Sequence, residues 1–362
     1  MNEQQHVHGE WPMTDTLTRS TVDSGFRSVR SAFLAACRGA ERGPAVEKAA
    51  SCDAYADLWH AVSILLYADE PGLALELCLR VEERTRQRAV LGLLRARIAH
   101  ANGQPLVARD LSRSVLEERA LSLRTRHLAL AELVTAEVGL EQYDVATALL
   151  REHGFDGDVP EGPEAPYLLA ARGALHVASG RRRPGVEDYL ECGRRLLDGG
   201  VRNPAVIPWR SRAALAAVGD RRQDLAKVLA EQELIEARTW GTSRAVGIAL
   251  HAVASTRDGD DAVELLGESV DLLSLSTARL ELLRAREDLA QIVRAGRDLT
   301  RQEAKIAWLA RSGYSNKQIS EQLFLTRRTI EFHLSGVYRK LGLSGRHELR
   351  VALPDQFGDQ SV

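Results

Sequence analysis

Lysine is scarce in this chain. Of 48 basic residues only five are lysine: Lys48, Lys227, Lys305, Lys317 and Lys340. Such an arginine bias is that of GC-rich coding DNA, as in actinobacteria. Cysteine is also sparse, and Cys37, Cys52, Cys78 and Cys192 show no C-x-x-C spacing, which removes the usual cysteine-built metal and redox motifs. Each sits in an apolar helical context, where a free, reduced, buried thiol is expected. With no signal-peptide pattern, this places the chain in the cytoplasm. No run of 18 apolar residues occurs, so no membrane-spanning helix is expected. The phosphate-binding loop G-x-x-x-x-G-K-[ST] is missing, and no G-x-G-x-x-G follows a strand, which excludes the common nucleotide-binding modules. Strand-like alternation is missing too, which excludes an α/β phospho-receiver. His6 and His8 are too isolated for a metal site. No catalytic constellation, metal site or cofactor motif is found, so the chain reads as a non-enzyme.

What remains is helical. The 362 residues allow two or three domains, and 44% hydrophobic content supports a core. Residues 1–24 are polar and read as a disordered tail. From 25 to 296 apolar periodicity is helical throughout, broken by turn signals at Gly103, Gly139, Gly180, Gly219 and Gly259, with Asp69-Glu70-Pro71-Gly72 as a weaker first member. Each is followed by a second helical run with small residues early in it: Ala108, Ala146, Ala226 and Ala262. A helix-turn-helix unit at this period predicts a tetratricopeptide-like α-solenoid. The stretch 154–163 is the longest break and reads as a mobile loop or a hinge between two halves. Arg181-Arg182-Arg183 and Arg221-Arg222 read as solvated turns or as an anionic-ligand or partner patch. Trp59, Trp209, Trp240, His176 and His251 read as core.

The formal net charge of −2 hides an asymmetry: residues 297–353 carry eleven Lys and Arg against five Asp and Glu, a net +6. This is the electrostatic footprint of a nucleic-acid domain. Four helices are predicted in it. Thr300 with Glu303 forms a capping box, and Gly313 stops that helix. Ser315 caps the second, Thr326 the third, which runs to Gly342, and Ser344 a fourth that ends before Pro354. The second and third, joined at Phe324-Leu325, form a helix-turn-helix pattern. At 100° per residue, Ile330, Leu334, Val337 and Leu341 share one stripe of the third helix and predict its core face. Arg328, Phe332, Ser335 and Arg339 gather opposite, beside Glu331. Taken alone, this face reads either as a solvated surface with one stray aromatic or as a major-groove reader.

Leu299-Thr300-x-x-Glu303, Gly313-x-Ser315-Asn316-Lys317-x-Ile319, Thr329-Ile330-x-x-His333-Leu334 and Arg339-Lys340-Leu341-Gly342-Leu343-x-x-Arg346 together resemble the DNA-binding domain of the LuxR family of transcription regulators. The likeness covers about one sixth of the chain, residues 299–353, nearly without gaps. Three positions depart from the family pattern: Arg301 stands where a proline is frequent, Glu331 where a basic residue is frequent, and Gly336 where Asn is common. The resemblance implies an all-α chain: a tail at 1–24, a helical-repeat sensor or interaction domain at 25–296, a helix-turn-helix domain at 297–354 and a tail at 355–362. It resembles the C-terminal part of large LuxR-type regulators without their ATPase module. A sheet-based acyl-homoserine-lactone sensor does not fit. The implied function is sequence-specific binding of double-stranded DNA through a recognition helix at 327–341. Arg328, Phe332 and Ser335 would approach bases, and Lys317, Thr329, Arg339 and Lys340 would hold phosphates. Thr326, Arg327 and Glu331 would complete the interface. A homodimer on an inverted repeat is implied, with the fourth helix as the contact and Leu349 or Val351 outermost. A small-molecule or protein effector on the repeats, and a contact with RNA polymerase, are further expectations. The alternative is a helical-repeat scaffold whose C-terminal helices only cap the stack.

Overall fold

Helices begin and end in this chain where local chemistry tells them to, and the turns between them repeat. The structure is a computed structural model, and it describes residues 25–82, 88–297 and 299–353. The expected tails fall outside those residues. The chain divides into two compact units, Met1–Arg286 and Glu287–Val362.

The first unit contains α1 (Val29–Arg38), α2 (Arg42–Ala50), α3 (Leu58–Tyr67), α4 (Pro71–Glu82), α5 (Arg88–Ala101), α6 (Pro105–Glu117) and α7 (Leu123–Gly139). It continues through α8 (Tyr143–Glu152), α9 (Ala165–Ala178), α10 (Arg182–Asp198), α11 (Trp209–Gly219), α12 (Gln223–Trp240), α13 (Ser243–Ala254), α14 (Gly259–Ser274) and the start of α15 (Arg279–Arg297). No strand occurs among the described residues. From α9 to α14 each helix packs mainly on the next in sequence.

One turn design recurs along the first unit. A residue in the left-handed region closes a helix at Asp69, Gly103, Glu141, Gly180 and Arg221, spaced 34, 38, 39 and 41 residues apart. The following N–H reaches back five residues, for example from Gln104 to Ala99 O at 2.9 Å and from Arg181 to His176 O at 2.8 Å. This is a Schellman closure, which satisfies carbonyls that a helix end would otherwise leave bare. Four residues further on the next helix buries a small residue: Ala74, Ala108, Ala146, Gly185 or Ala226. Small side chains there let paired helices approach closely.

Gly139 and Gly219 do not supply the turn conformation. They end their helices, and the left-handed residues are Glu141 and Arg221 two positions later. Their missing side chains matter for packing instead. A Cβ on Gly219 would lie 2.4 Å from Arg182 Nε, and one on Gly139 3.5 Å from Pro105 Cβ.

The 154–163 stretch is tied down rather than loose. Arg172 donates to the Phe155 carbonyl at 2.9 Å and to that of Gly157, and Arg195 donates to the Val159 and Pro160 carbonyls, both at 2.9 Å. Phe155 and Val159 are buried. A hinge needs backbone without such partners, and this loop has them.

Contacts far apart in sequence close the first unit on itself. Asn203 Nδ2 donates to Ala36 O at 2.7 Å, Trp240 Nε1 to Tyr67 O at 2.6 Å, and Arg244 Nη1 to Ala101 O at 2.9 Å. The acceptors are carbonyls in the last turns of α1, α3 and α5. Side chains some 140–175 positions away therefore serve as helix C-caps. Trp59, Trp209, Trp240 and His251 are buried, and Cys37, Cys52, Cys78 and Cys192 are buried and free. His176 lies 3.2 Å from the Asp188 carboxylate. The arginines at 181–183 and 221–222 are exposed. No described helix is long and apolar enough to cross a membrane.

Candidate nucleic-acid interface

In the second unit, α16 (Arg301–Arg311), α17 (Asn316–Leu323) and α18 (Arg327–Leu341) surround a core of their own. Ile306, Leu309, Ile319, Ile330, Leu334 and Val337 fill it. The helix starts are those predicted. Thr300 and Glu303 form a reciprocal capping box, Ser315 and Gln318 form a second, and Thr326 Oγ1 accepts from Thr329 N at 3.1 Å. Three capped starts within 27 residues set the helix directions locally, before any tertiary contact.

The turn between α17 and α18 is built on Phe324, which adopts the left-handed conformation (φ 55°, ψ 40°) while 95% exposed. Such a backbone is costly for a bulky residue. Leu325 N donates to Ser320 O at 3.0 Å, closing α17 so that α18 can leave at once.

α18 presents the face that the periodicity predicts. Ile330, Leu334 and Val337 point inward, and Arg327, Arg328, Glu331, Phe332, Ser335 and Arg339 are exposed, Phe332 at 77%. The Phe332 ring meets only the His333 ring edge-on, with centroids 6.0 Å apart, among the ring contacts described. Ser335 Oγ donates to Glu331 O at 2.9 Å. Thr329 is half-buried, its hydroxyl 2.7 Å from that of Thr326. Lys317 is exposed and 3.9 Å from Glu321.

Lys340 is differently placed. Its ammonium donates to Glu303 Oε2 at 2.8 Å, with both side chains largely buried. Burial works against the ionised Glu303, but the bonds from Lys340 and from Thr300 outweigh it and hold the carboxyl below its ordinary value. The pair ties α18 to the start of α16. Gly336 leaves room for it, since a Cβ there would sit 3.2 Å from Glu303 Oε1.

Arg346, legible in sequence only as part of a motif, is a staple. It donates to Asn316 Oδ1 at 2.9 Å, to Ala310 O at 3.1 Å and to the Tyr314 carbonyl. It thereby joins the end of α16, the start of α17 and the C-terminal segment. The signal in sequence was its fixed distance from Gly342; the three acceptors could not be read there.

The fourth helix is shorter than expected, a 3-10 turn at Arg346–Glu348 followed by α19 (Leu349–Ala352). Ser344 does not cap it by accepting a backbone N–H. Its N–H donates to Glu348 Oε2 at 2.8 Å and its hydroxyl donates to the same carboxylate. Leu349 is 0% exposed and belongs to the core, so it cannot be an outermost dimer contact. The side chain of Val351 lies outside the described residues.

The model of bacterial regulatory proteins of the luxR family matches residues 297–353. This segment is a LuxR-family helix-turn-helix domain. An HTH-type transcriptional regulator of Mycobacterium tuberculosis strain H37Rv is 38% identical over 77 residues, 21% of this chain and 9% of that protein. The oxygen regulatory protein NreC of Staphylococcus aureus is 32% identical over 85 residues, 23% of this chain and 39% of that protein. The chain thus spans well under half the length of these relatives. No solved structure matches it.

In the LuxR-type domain, the predicted residues fall into three groups. Arg327, Arg328, Glu331, Phe332, Ser335 and Arg339 form one exposed face of α18. Lys317, Thr326 and Thr329 lie at the first turns of α17 and α18, where bare N–H groups and the helix dipole favour an anion. Lys340 stands apart, turned toward Glu303.

Proposed function

We propose that this chain is a sequence-specific DNA-binding transcription regulator that lays residues 327–341 in the major groove. The supporting observation is the exposed Arg327-Arg328-Phe332-Arg339 face, held over a separate core on a helix that the Lys340–Glu303 pair anchors. Such a face gains nothing from the fold, whereas guanidinium forks suit phosphates and guanine edges and Phe suits a thymine methyl. Arg328, Phe332 and Ser335 approach bases, with Arg327 and Glu331 beside them. Lys317, Thr326, Thr329 and Arg339 take phosphates, and Lys340 does so while retaining Glu303. The relatives named as transcriptional regulators agree with this reading.

The first unit, with its 34–41-residue period, acts as a tetratricopeptide-like array that takes an effector or a protein partner, RNA polymerase among them. The DNA-bound form is a homodimer on an inverted repeat, since one module makes few base contacts and pairing raises the effective concentration of the second.

The test is a gel shift on sites selected from random duplex DNA. Arg328→Ala combined with Arg339→Ala abolishes retention and leaves helicity unchanged. Wild-type retention by the double variant would remove the assignment. Footprinting distinguishes the dimer: protection of a single half-site at saturation would exclude it.

A further inference from the structure

The first unit holds a cavity of roughly 170 Å³. Helix α5 lines it with Arg97 and His100, α7 with Leu128 and Glu132, α11 with Arg212, α13 with Arg244 and Ile248, and α15 with Glu281. Nothing in the DNA-reading face uses these residues.

We propose that this cavity binds a small organic monoanion, a carboxylate on an apolar body about the size of a benzene ring. The proposal rests on the reading of the first unit as an effector-binding array and names the site and the class of ligand.

The charge follows from how the guanidinium groups are matched. Three arginines and two glutamates line the cavity. Arg244 has carboxylates near it, Glu281 at 3.6 Å and Asp69 at 3.8 Å. His100 faces Glu132 at 3.5 Å. Arg97 donates to the Ser63 hydroxyl at 3.0 Å and lies 4.6 Å over the Trp59 ring; Glu132 acts on it from a distance, but no carboxylate is in ion-pair range among the described residues. Arg212 is half-buried, and its guanidinium makes no ion pair among the described residues; the Glu281 carboxylate feels its charge from beyond that range. A guanidinium withdrawn from water without a carboxylate in contact is costly, and a carboxylate matches its fork with two parallel bonds.

The rest of the wall supports the apolar body. Leu66, Leu128, Ala131, Val206, Ile207 and Ile248 contribute surface without hydrogen-bonding side chains. Tyr67 and Tyr167 place their hydroxyls 3.5 Å apart at the same cavity. Burial raises the pKa of both, so they remain neutral O–H groups able to donate. The volume is close to the roughly 150 Å³ of a cavity known to admit benzene, so a long chain or a sugar polymer is too large.

The test is calorimetric titration of the full chain with benzoate, with benzamide as the neutral isostere and inorganic phosphate as an anion without an apolar body. Benzoate is expected to bind saturably with Kd below about 1 mM. Benzamide and phosphate are each expected to bind at least about tenfold more weakly. Arg212→Gln weakens benzoate about tenfold or more, while its thermal melt stays close to wild type because no ion pair of the guanidinium is lost. Arg221→Gln, on an exposed turn, leaves binding unchanged. Two results overturn the proposal: no saturable binding of benzoate, cyclohexanecarboxylate or hexanoate below about 10 mM, or an Arg212→Gln chain that binds benzoate as wild type does. Equal binding of phosphate overturns the apolar half of it. If benzoate binds through Arg212 and DNA retention does not change, the site stands and the regulatory reading of the first unit falls.

Discussion

Glu303 is the residue on which the placement of the recognition helix depends, and two substitutions there separate its two roles. Its Oε2 accepts from Thr300 N at 2.7 Å and from Lys340 Nζ at 2.8 Å. Glu303→Gln keeps an acceptor for the capping box, which glutamine also serves, but removes the charge opposite Lys340. A charge-assisted hydrogen bond contributes about 1.5–3 kcal/mol against about 0.5–1.5 for a neutral one, so the loss is about 1–2 kcal/mol. Glu303→Ala also removes the box, which adds about 1 kcal/mol. Hydrogen exchange of the intact protein, read on peptides covering 301–341, measures this locally. The slowest amides of α18 should exchange roughly 5–30-fold faster in Glu303→Gln and faster again in Glu303→Ala. Adding Lys340→Met to Glu303→Ala should cost less than the two single changes together, since the pair is already broken. Because the folded state depresses the Glu303 pKa, this contribution is present above its ordinary value of 4.5 and is lost as pH falls through the folded value. Unchanged protection in both Glu303 variants would refute the claim that the ion pair anchors α18.

Three further outcomes follow from the same structure. Phe324→Gly should stabilise the second unit by up to about 1 kcal/mol, because the left-handed backbone costs a side chain roughly 1–2 kcal/mol and glycine gives back about half in chain entropy; destabilisation in a urea melt would mean that Phe324 packs in a way its exposure hides. Burial pushes His60 down to about 4, so stability of the first unit should be full above pH 6.5 and fall between 6.5 and 4 by up to about 3 kcal/mol; a His60→Gln chain with the same acid profile would exclude it. Glu233→Ala leaves the buried guanidinium of Arg210, now 3.2 Å from Glu233 Oε2, without its carboxylate. That should cost about 3–5 kcal/mol in chemical denaturation, more than the paired change to apolar residues.

What could be read in the chain itself was what short-range chemistry decides. Thr300, Ser315 and Thr326 start α16, α17 and α18 because a side-chain oxygen three residues before an N–H needs nothing else to find it. The 100° periodicity of α18 sorted Ile330, Leu334 and Val337 from Arg328, Phe332 and Arg339 for the same reason. The repeating turns were legible as a period, but not which residue would turn. Glycine suggested 139 and 219, yet helix geometry put the left-handed residue at Glu141 and Arg221 and gave those glycines to close packing. Lys340 and Leu349 looked like surface residues in a linear pattern. Only the fold set Glu303 opposite the first and a hydrophobic core around the second. The closure of the first unit had no local signature at all. Asn203, Trp240 and Arg244 cap helices that lie well over a hundred residues earlier, and the sites they serve are last-turn carbonyls that every helix end possesses. Which distant side chain reaches which carbonyl, and so which arginines line a cavity without a carboxylate in contact, is decided when the repeats pack.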